Sequence, residues 1–408
     1  MNERHPRAYV STIGITQLHL RNPFVVAFWS AMFPGLGHIL INKNIIGTVL
    51  FIWEVFINLE SNVNLAILYS FTGRFEMAKS VMHKEWLLLY LPTYMFAIWD
   101  SYRATVTINN LYKLACREDT IITPLRINGM GFNNLDKRSP FIAAAWTALM
   151  PGAGQLYLHR IIAAFFIMAW WIATAYFSKL LPCIHYTLLG DFAAAKELVN
   201  PHWFLNIPSI YMFAIYDAYL NCVEFNNLYD WEQSKFLKRQ YQKRFFKIPS
   251  KARRTENMHI ISTFEYSNYL ELAITEIEMK GIPKENILAV TMDKRNEKRK
   301  LFDTMHHSDG VSLFDVPMIL ATFFMIFGAV YGFVLTWGPL LWGLIAMIIG
   351  FSLGLIIKLY TTRKQFKRQS GLKNTEVVLI IECSQNQMHM IQDTLWQHNA
   401  LGVSKLDL

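Results

Sequence analysis

The chain has 408 residues, 53% of them hydrophobic and only 17% charged, with a formal net charge of +9. Its mean hydropathy is +0.22, and soluble domains run nearer to about 25% charged residues, but it is the long apolar stretches at 314–335 and 340–357 that exclude a wholly soluble protein. Four scattered cysteines, Cys116, Cys183, Cys222 and Cys383, have no paired spacing and build neither a disulfide framework nor a zinc site.

Residues 1–22 are polar, show no cleavable signal peptide, and read as a cytoplasmic N-terminal segment. A membrane repeat follows over 23–112 in three apolar pieces, 23–41, 45–68 and 86–108, with a short polar link at 71–84. The loop 113–139 leads to a second repeat over 140–229, with pieces 140–158, 161–181 and 203–225 and a link at 188–201. Residues 230–257 form a basic segment. Between 233 and 255 stand Lys235, Lys238, Arg239, Lys243, Arg244, Lys247, Lys251, Arg253 and Arg254, no acid, and the interleaved Phe236, Tyr241, Phe245 and Phe246. Next to a membrane helix, this pattern predicts an interfacial helix whose basic run, 235–254, attracts anionic lipid head groups; nucleic acid is not expected as a partner.

The remainder is a small domain in two halves, 258–300 and 363–408, around an apolar hairpin at 301–362. Strands are predicted at 259–266, 287–292, 376–382 and 403–406. Helices are predicted from Ser267 to Gly281, with Leu270, Ile274 and Ile277 inward, and over 385–399, with Met388, Ile391 and Leu395 inward. The order βαβ, hairpin, βαβ predicts a ferredoxin-like sheet of four antiparallel strands with both helices on one face. The stretches 314–335 and 340–357 are each long enough to cross a hydrocarbon core of about 30 Å. Basic residues on both flanks (Lys294, Arg295, Lys298, Arg299 and Lys300; Arg363, Lys364, Lys367 and Arg368) put both ends, and so the small domain, in the cytoplasm. Gly328 with Gly332 and Gly350 with Gly354 are small-residue pairs for close helix approach, within the hairpin or to a neighbouring chain. The expected fold class is therefore an α-helical polytopic membrane protein with a duplicated unit plus a small α+β domain interrupted by a transmembrane hairpin.

The repeats are related by an ungapped shift of 117 residues. Laying 23–112 on 140–229 gives 31 identities in 90 positions, against about a tenth or less by chance, so the unit is a duplication. Pro34-Gly35-Leu36-Gly37-His38 returns as Pro151-Gly152-Ala153-Gly154-Gln155, Tyr94-Met95-Phe96-Ala97-Ile98 as Tyr211-Met212-Phe213-Ala214-Ile215, Asp100 and Tyr102 as Asp217 and Tyr219, and Asn109-Asn110-Leu111-Tyr112 as Asn226-Asn227-Leu228-Tyr229. Proline removes a donor and glycine weakens a helix, so each first piece is expected to be a bent or re-entrant pair of half-helices. If every piece crosses, the repeats are inverted; if the first re-enters, both point the same way and all the basic segments fall inside, the preferred topology.

Asp100 and Asp217 are ionisable groups in matched membrane pieces and are functional candidates. An ion relay stands against a hydrogen bond to Tyr102, Tyr219 or the Pro-Gly break. His38 and Gln155 share one slot, so a role in positioning the half-helix is expected rather than ligation. Glu54 faces Trp171 in the alignment and is outside the shared design. His306, His307 and Asp309 lack a third ligand in metal-site geometry, and no metal is expected. No P-loop, dinucleotide fingerprint or nucleophile elbow is present, Glu382 and Cys383 have no basic partner in sequence, and neither cofactor nor catalysis is expected.

The Pro-Gly-x-Gly-His/Gln elements at 34–38 and 151–155, with Trp99-Asp100 and Tyr216-Asp217, resemble the two-transmembrane-helix domain family, from which the first copy departs by Ile39-Leu40. The stretch 308–315 through Trp337-Gly338-Pro339 to Gly354 resembles bacterial stress-associated proteins with a glycine-rich membrane hairpin inside a small α/β domain, which implies a bacterial origin. The expectation is a non-enzymatic, multi-pass inner-membrane protein with a cytoplasmic partner-binding or regulatory domain, its partner being another protein or a second copy of itself. The alternative is a small-solute or ion transporter or channel built on the broken helices.

Overall fold

The computed structural model describes residues 5–129, 131–242, 257–292, 312, 314–366 and 377–406. Two hairpin strands, β1 (Ala8–Ser11) and β2 (Gly14–Gln17), precede the first repeat. Asn22 then starts α1 (Pro23–Met32): its side chain accepts from the Phe24 amide, and Pro23 takes the first-turn position where no amide is needed. The chain continues through α2 (Leu36–Leu40), α3 (Asn44–Ser61), α4 (Val63–Phe71), α5 (Phe75–Val81) and α6 (Lys84–Glu118). The second copy has β3 (Leu125–Asn128), β4 (Gly131–Asn134), α7 (Pro140–Leu149), α8 (Ala153–Tyr157), α9 (Ile161–Phe177), α10 (Leu180–Leu188), α11 (Phe192–Leu198), the single turn α12 (Pro201–Phe204) and α13 (Ile207–Tyr241). There follow β5 (Asn257–Phe264), α14 (Asn268–Met279), β6 (Ile287–Thr291), α15 (Asp315–Gly332), α16 (Gly338–Phe366), β7 (Val377–Ser384), α17 (Met388–Gln397) and β8 (Gly402–Leu406).

Two units result: Met1–Asn134, Arg138–Glu224 and Lys300–Gln365 form one, and Leu135–Lys137, Phe225–Arg299 and Phe366–Leu408 the other. In the first, the shift of 117 also superimposes the hairpins, β1 on β3 and β2 on β4. The duplicated unit thus begins before residue 23, and 1–22 and 113–139 are not merely a segment and a linker. Over these ten positions only Gly14 and Gly131 agree, so the sequence alone could not extend the match.

Each first piece breaks where the proline falls. Gly35 (φ +98°) and Gly152 (φ +102°) take the left-handed turn that opens α2 and α8. A ten-residue half-helix rises about 15 Å, half of a hydrocarbon core, so neither α1 nor α7 can cross alone. The second pieces, expected to be continuous, are also broken. Asn62 (φ 59°) separates α3 from α4, and Lys179 (φ 59°) separates α9 from α10, which meet at 61°. The carbonyls freed there are used in the same way in both copies: Ser61 O accepts from the His83 amide at 3.3 Å, and Ser178 O from the Asn200 amide at 3.2 Å. The links are helical, as α5 and α11.

Among the described residues, three helices can cross a membrane by length and composition: α3, α15 and Gly338–Thr361 of α16. The bent pair α9–α10 makes a fourth if it is one span. The third pieces lie in α6 and α13, each of 35 residues. Asp100 and Arg103 in one, and Asp217 and Glu224 in the other, dilute the apolar character of those stretches.

In the second unit the sheet order is β6-β7-β5-β8, with every neighbouring pair antiparallel. One face is closed: Ile260, Phe264, Ile287, Ala289, Val377, Leu379 and Ile381 are buried, as are Leu270, Ala273, Ile274 and Ile277 of α14 and Met388, Ile391 and Leu395 of α17. The two helices pack on each other, and α17 on β5 and β8. The described part of the basic segment is not a lipid-facing helix but the end of α13. Leu237 and Tyr241, four apart and so on one helix face, are buried in this unit. Tyr241 donates to Glu278 Oε1 at 3.0 Å, and Gln242 Nε2 to Ala289 O at 2.8 Å. The basic residues at 243–254, 294–300 and 367–368, and His306, His307 and Asp309, lie outside the described residues.

The hairpin glycines are used inside the hairpin. A Cβ at Gly328 would lie 2.4 Å from Trp342 O, and at Gly332 2.4 Å from Pro339 Cα. At Gly350 it would meet Leu320 O at 2.7 Å, and at Gly354 Pro317 Cα at 2.5 Å. Only hydrogen lets the backbones of α15 and α16 approach this closely. Gly328→Ala is expected to lower stability by about 1–3 kcal/mol through overpacking. Gly343→Ala, where the nearest atom lies at 3.7 Å, is expected to be neutral or slightly stabilising. Thermal unfolding of both variants in one detergent checks the contrast.

Candidate functional site

The broken half-helices and the late aspartates form one construction, made twice. On the near side of each break, proline leaves carbonyls without their helical partners. The Tyr94 hydroxyl donates to Ala31 O at 2.5 Å, and Tyr211 to Ala148 O at 2.7 Å. On the far side, His38 Nε2 lies 3.2 Å from Asp100 Oδ2, and Gln155 Nε2 donates to Asp217 Oδ2 at 3.1 Å. One long helix thus grips both sides of its own repeat's break, with a tyrosine and an aspartate six residues apart on α6 and again on α13.

The glycines let the parts meet. A Cβ at Gly35 would lie 2.3 Å from Gly47 O of α3, and one at Gly152 2.2 Å from Met168 Cγ of α9. At Gly37 it would strike Ser30 Oγ at 2.3 Å and Val26 O at 2.4 Å; at Gly154, Thr147 Oγ1 at 2.0 Å and Ala143 O at 2.2 Å. The first glycine of each motif therefore serves the turn and the second piece, and the second glycine serves contact with the preceding half-helix. Pro34 and Pro151 set the break itself.

The two aspartates have different cations. Arg103 Nη2, three residues on and on a side chain 59% exposed, donates to Asp100 Oδ1 at 2.5 Å. Asp217 is fully buried and takes Arg160 Nη1 on Oδ2 at 2.5 Å and Asn221 Nδ2 on Oδ1 at 2.8 Å. Arg160 also reaches Asn42 Oδ1 at 3.3 Å, at the break of the other copy. Buried Arg21 donates through Nη2 to Asn221 Oδ1 at 3.3 Å, and its backbone exchanges two hydrogen bonds with the Asn109 side chain. Each oxygen of both carboxylates thus has a hydrogen-bonding partner. The arrangement fixes where half-helices sit relative to long helices, and carries its charge in compensated form.

The His/Gln slot stands beside the aspartate in both copies, a partner that the sequence reading did not give to Asp100 and Asp217. The tyrosines are placed otherwise: Tyr102 packs edge-on against Phe24 at 5.3 Å, and Tyr219 stacks on Phe314 at 4.4 Å. Sequence reading missed Tyr94 and Tyr211, although both stand in the repeated Tyr-Met-Phe-Ala-Ile, and Arg160, which matches Lys43 as the same charge type. Gly328, Gly332, Gly350 and Gly354 belong to the hairpin and not to this site. Among the described residues no group of three or more His, Cys, Asp or Glu is placed to hold a metal.

Comparison with protein-family models, curated proteins and solved structures returned no match.

Arg160→Met leaves Asp217 buried without its cation and is expected to cost about 3–5 kcal/mol, most of which returns in Arg160→Met/Asp217→Asn. Arg103→Met, at an exposed pair, is expected to cost about 1 kcal/mol or less. Unfolding of the three variants in lipid nanodiscs measures both differences.

Proposed function

We propose that this chain is a non-enzymatic, multi-pass protein of a bacterial inner membrane whose small cytoplasmic domain docks a partner protein and regulates it, in the setting of an envelope-stress response. The strand order β6-β7-β5-β8 with two βαβ halves fits the ferredoxin-like topology. The observation that carries the reading is the second face of this sheet. Leu288, Ile380 and Ile261 stand in one row across three strands, and Val290 and Val378 in the next. All five are half-buried, while the face beneath the helices is closed. A patch of branched apolar side chains across rigid strands suits a protein partner, a second copy of the domain included.

Orientation follows the basic segments, which favour a cytoplasmic N-terminus, 113–139 loop and small domain. The ten-residue half-helices support two crossings per repeat. The charge of the basic run Lys235–Arg254 suits attraction to anionic head groups on that side. The resemblance of the hairpin to stress-associated proteins supports the setting. The arginine beside each of Asp100 and Asp217 already compensates its charge, which weighs against reading them as carriers of a transported ion and so favours regulation over transport.

A photo-reactive residue in place of Leu288 is expected to give a discrete cross-linked product in cells, lost on Ile380→Glu in a protein that still folds. Absence of any product, in growth and under envelope stress, overturns the reading. For topology, single cysteines in a cysteine-free background at Asn42 and Gly131 should label from the cytoplasm, and those at Gly73, Gly190 and Thr336 from outside. Labelling of Gly131 from outside makes the repeats inverted and restores the transport reading.

A further inference from the structure

Among the buried carboxyls of the membrane part, Glu54 has no share in the paired construction. Glu54 is ten residues past the start of α3, about 15 Å along an 18-residue span, and is 5% exposed. Its hydrogen-bonding neighbours are neutral. The Tyr90 hydroxyl of α6 donates to Oε1 at 3.1 Å, and the Asn58 amide reaches the same carboxyl. The titratable groups facing it are Tyr90 and Tyr94, stacked at 5.4 Å on α6. An acid at membrane depth beside neutral partners is costly to keep and marks an ion site by default.

The polar surroundings do not end at Asn58. Its Nδ2 donates to Asn64 Oδ1 of α4 at 3.4 Å. Asn64 Nδ2 donates to Asn206 Oδ1 at 2.9 Å and to His202 O at 2.7 Å. Asn58, Asn64 and Asn206 are all buried, so amides line a seam from Glu54 to the turn that opens α13, where the first copy meets the second. One acceptor in this seam is unused: Asn58 Oδ1 is buried with no hydrogen-bond partner. A buried carbonyl oxygen without a donor is costly, and next to a carboxylate it is what a hard cation takes as ligand. The equivalent positions in the other copy are Trp171, Ala175, Leu181 and Leu89. The polar seam therefore runs from the first copy to the second and has no polar counterpart at the matching positions, and the architecture does not require it.

We propose that Glu54 and Asn58 form a binding site for a small monovalent cation, a proton or a sodium ion, within the membrane span. The cation sits on the Glu54 carboxylate, with Asn58 Oδ1 as its second oxygen ligand once the amide turns that oxygen toward the carboxylate and gives up its bond to Asn64, and reaches it along the Asn64–Asn206 seam from the His202 end. The proposal is independent of the docking surface on the small domain.

The test is difference infrared spectroscopy on the full-length protein in nanodiscs, exchanging choline for sodium at pH 8 and, separately, stepping the pH without sodium. A sodium site gives a carboxylate band that shifts with sodium, vanishes in Glu54→Gln, and needs at least about tenfold more sodium in Asn58→Ala. A proton site gives a carboxyl band that follows pH and not sodium, vanishes in Glu54→Gln and is displaced in Asn58→Ala, where the protonated carboxyl loses its acceptor; a band unmoved by Asn58→Ala under both exchanges overturns the proposal. Difference spectra that are the same in the wild type and Glu54→Gln under both exchanges overturn the proposal. If Glu54→Gln does not fold, Tyr90→Phe serves instead: loss of the Tyr90 hydroxyl must move the responding band, and an unmoved band overturns it.

Discussion

A helix broken inside a bilayer must have its freed backbone groups satisfied by the protein, because lipid offers no hydrogen bonds. The rest of the membrane part follows from that demand. Proline and glycine break the first piece of each repeat, and the break is stable only because one long helix brings a tyrosine to the carbonyl before it and an aspartate to the side chain after it. The second piece breaks too, and its loose serine carbonyl is taken by the amide that precedes the third piece. Each break is thereby tied to an element far along the chain, so the repeat closes on itself as one cooperative unit. The strongest sequence signals of the duplication, Pro-Gly-x-Gly and Tyr-Met-Phe-Ala-Ile with its following aspartate, are the two halves of a single contact.

The same requirement explains why the copies diverge where they do. His38 and Gln155 differ in titration and shape, yet each puts one nitrogen at the aspartate. Arg103 serves Asp100 from the same helix, and Arg160 serves Asp217 from the start of the second piece. Either solution neutralises the carboxylate, so the identity of the cation is free while its presence is not. A transported ion needs ligands that can be vacated, and ligands already filled by arginine, glutamine and asparagine side chains are poorly suited to that.

Much of this was legible in the residues. The duplication, the breaks at Pro34 and Pro151, the four antiparallel strands and two inward helix stripes of the small domain, and the hairpin glycines all follow from period, spacing and small-residue pairs. Three features were not. The terminal hairpins share one glycine in ten positions, because a short strand pair is fixed by backbone pairing that many side chains permit. The break at Lys179 has a proline, Pro182, three residues on in the first turn of α10, but the first copy has Leu65 there and breaks at Asn62, so no shared glycine or proline announces it. The stretch from Lys235 to Gln242 reads as interfacial because its charges dominate the composition. Leu237 and Tyr241 decide its fate, since they share a face that closes against protein.

Duplication also supplies a comparison within one molecule. Whatever both copies keep is demanded by the frame: the glycines, the tyrosine hydroxyl, the aspartate, the serine at the second break. Whatever one copy alone carries must be explained in another way. Glu54, Asn58 and Asn64 are such residues, since tryptophan, alanine and leucine fill the matching positions and the second copy folds to the same plan without them. Buried polar groups in a membrane helix weaken insertion and demand partners. A chain that holds an acid and an asparagine carbonyl together at that depth, where its own other half shows the apolar solution to be sufficient, has kept them for something other than the fold.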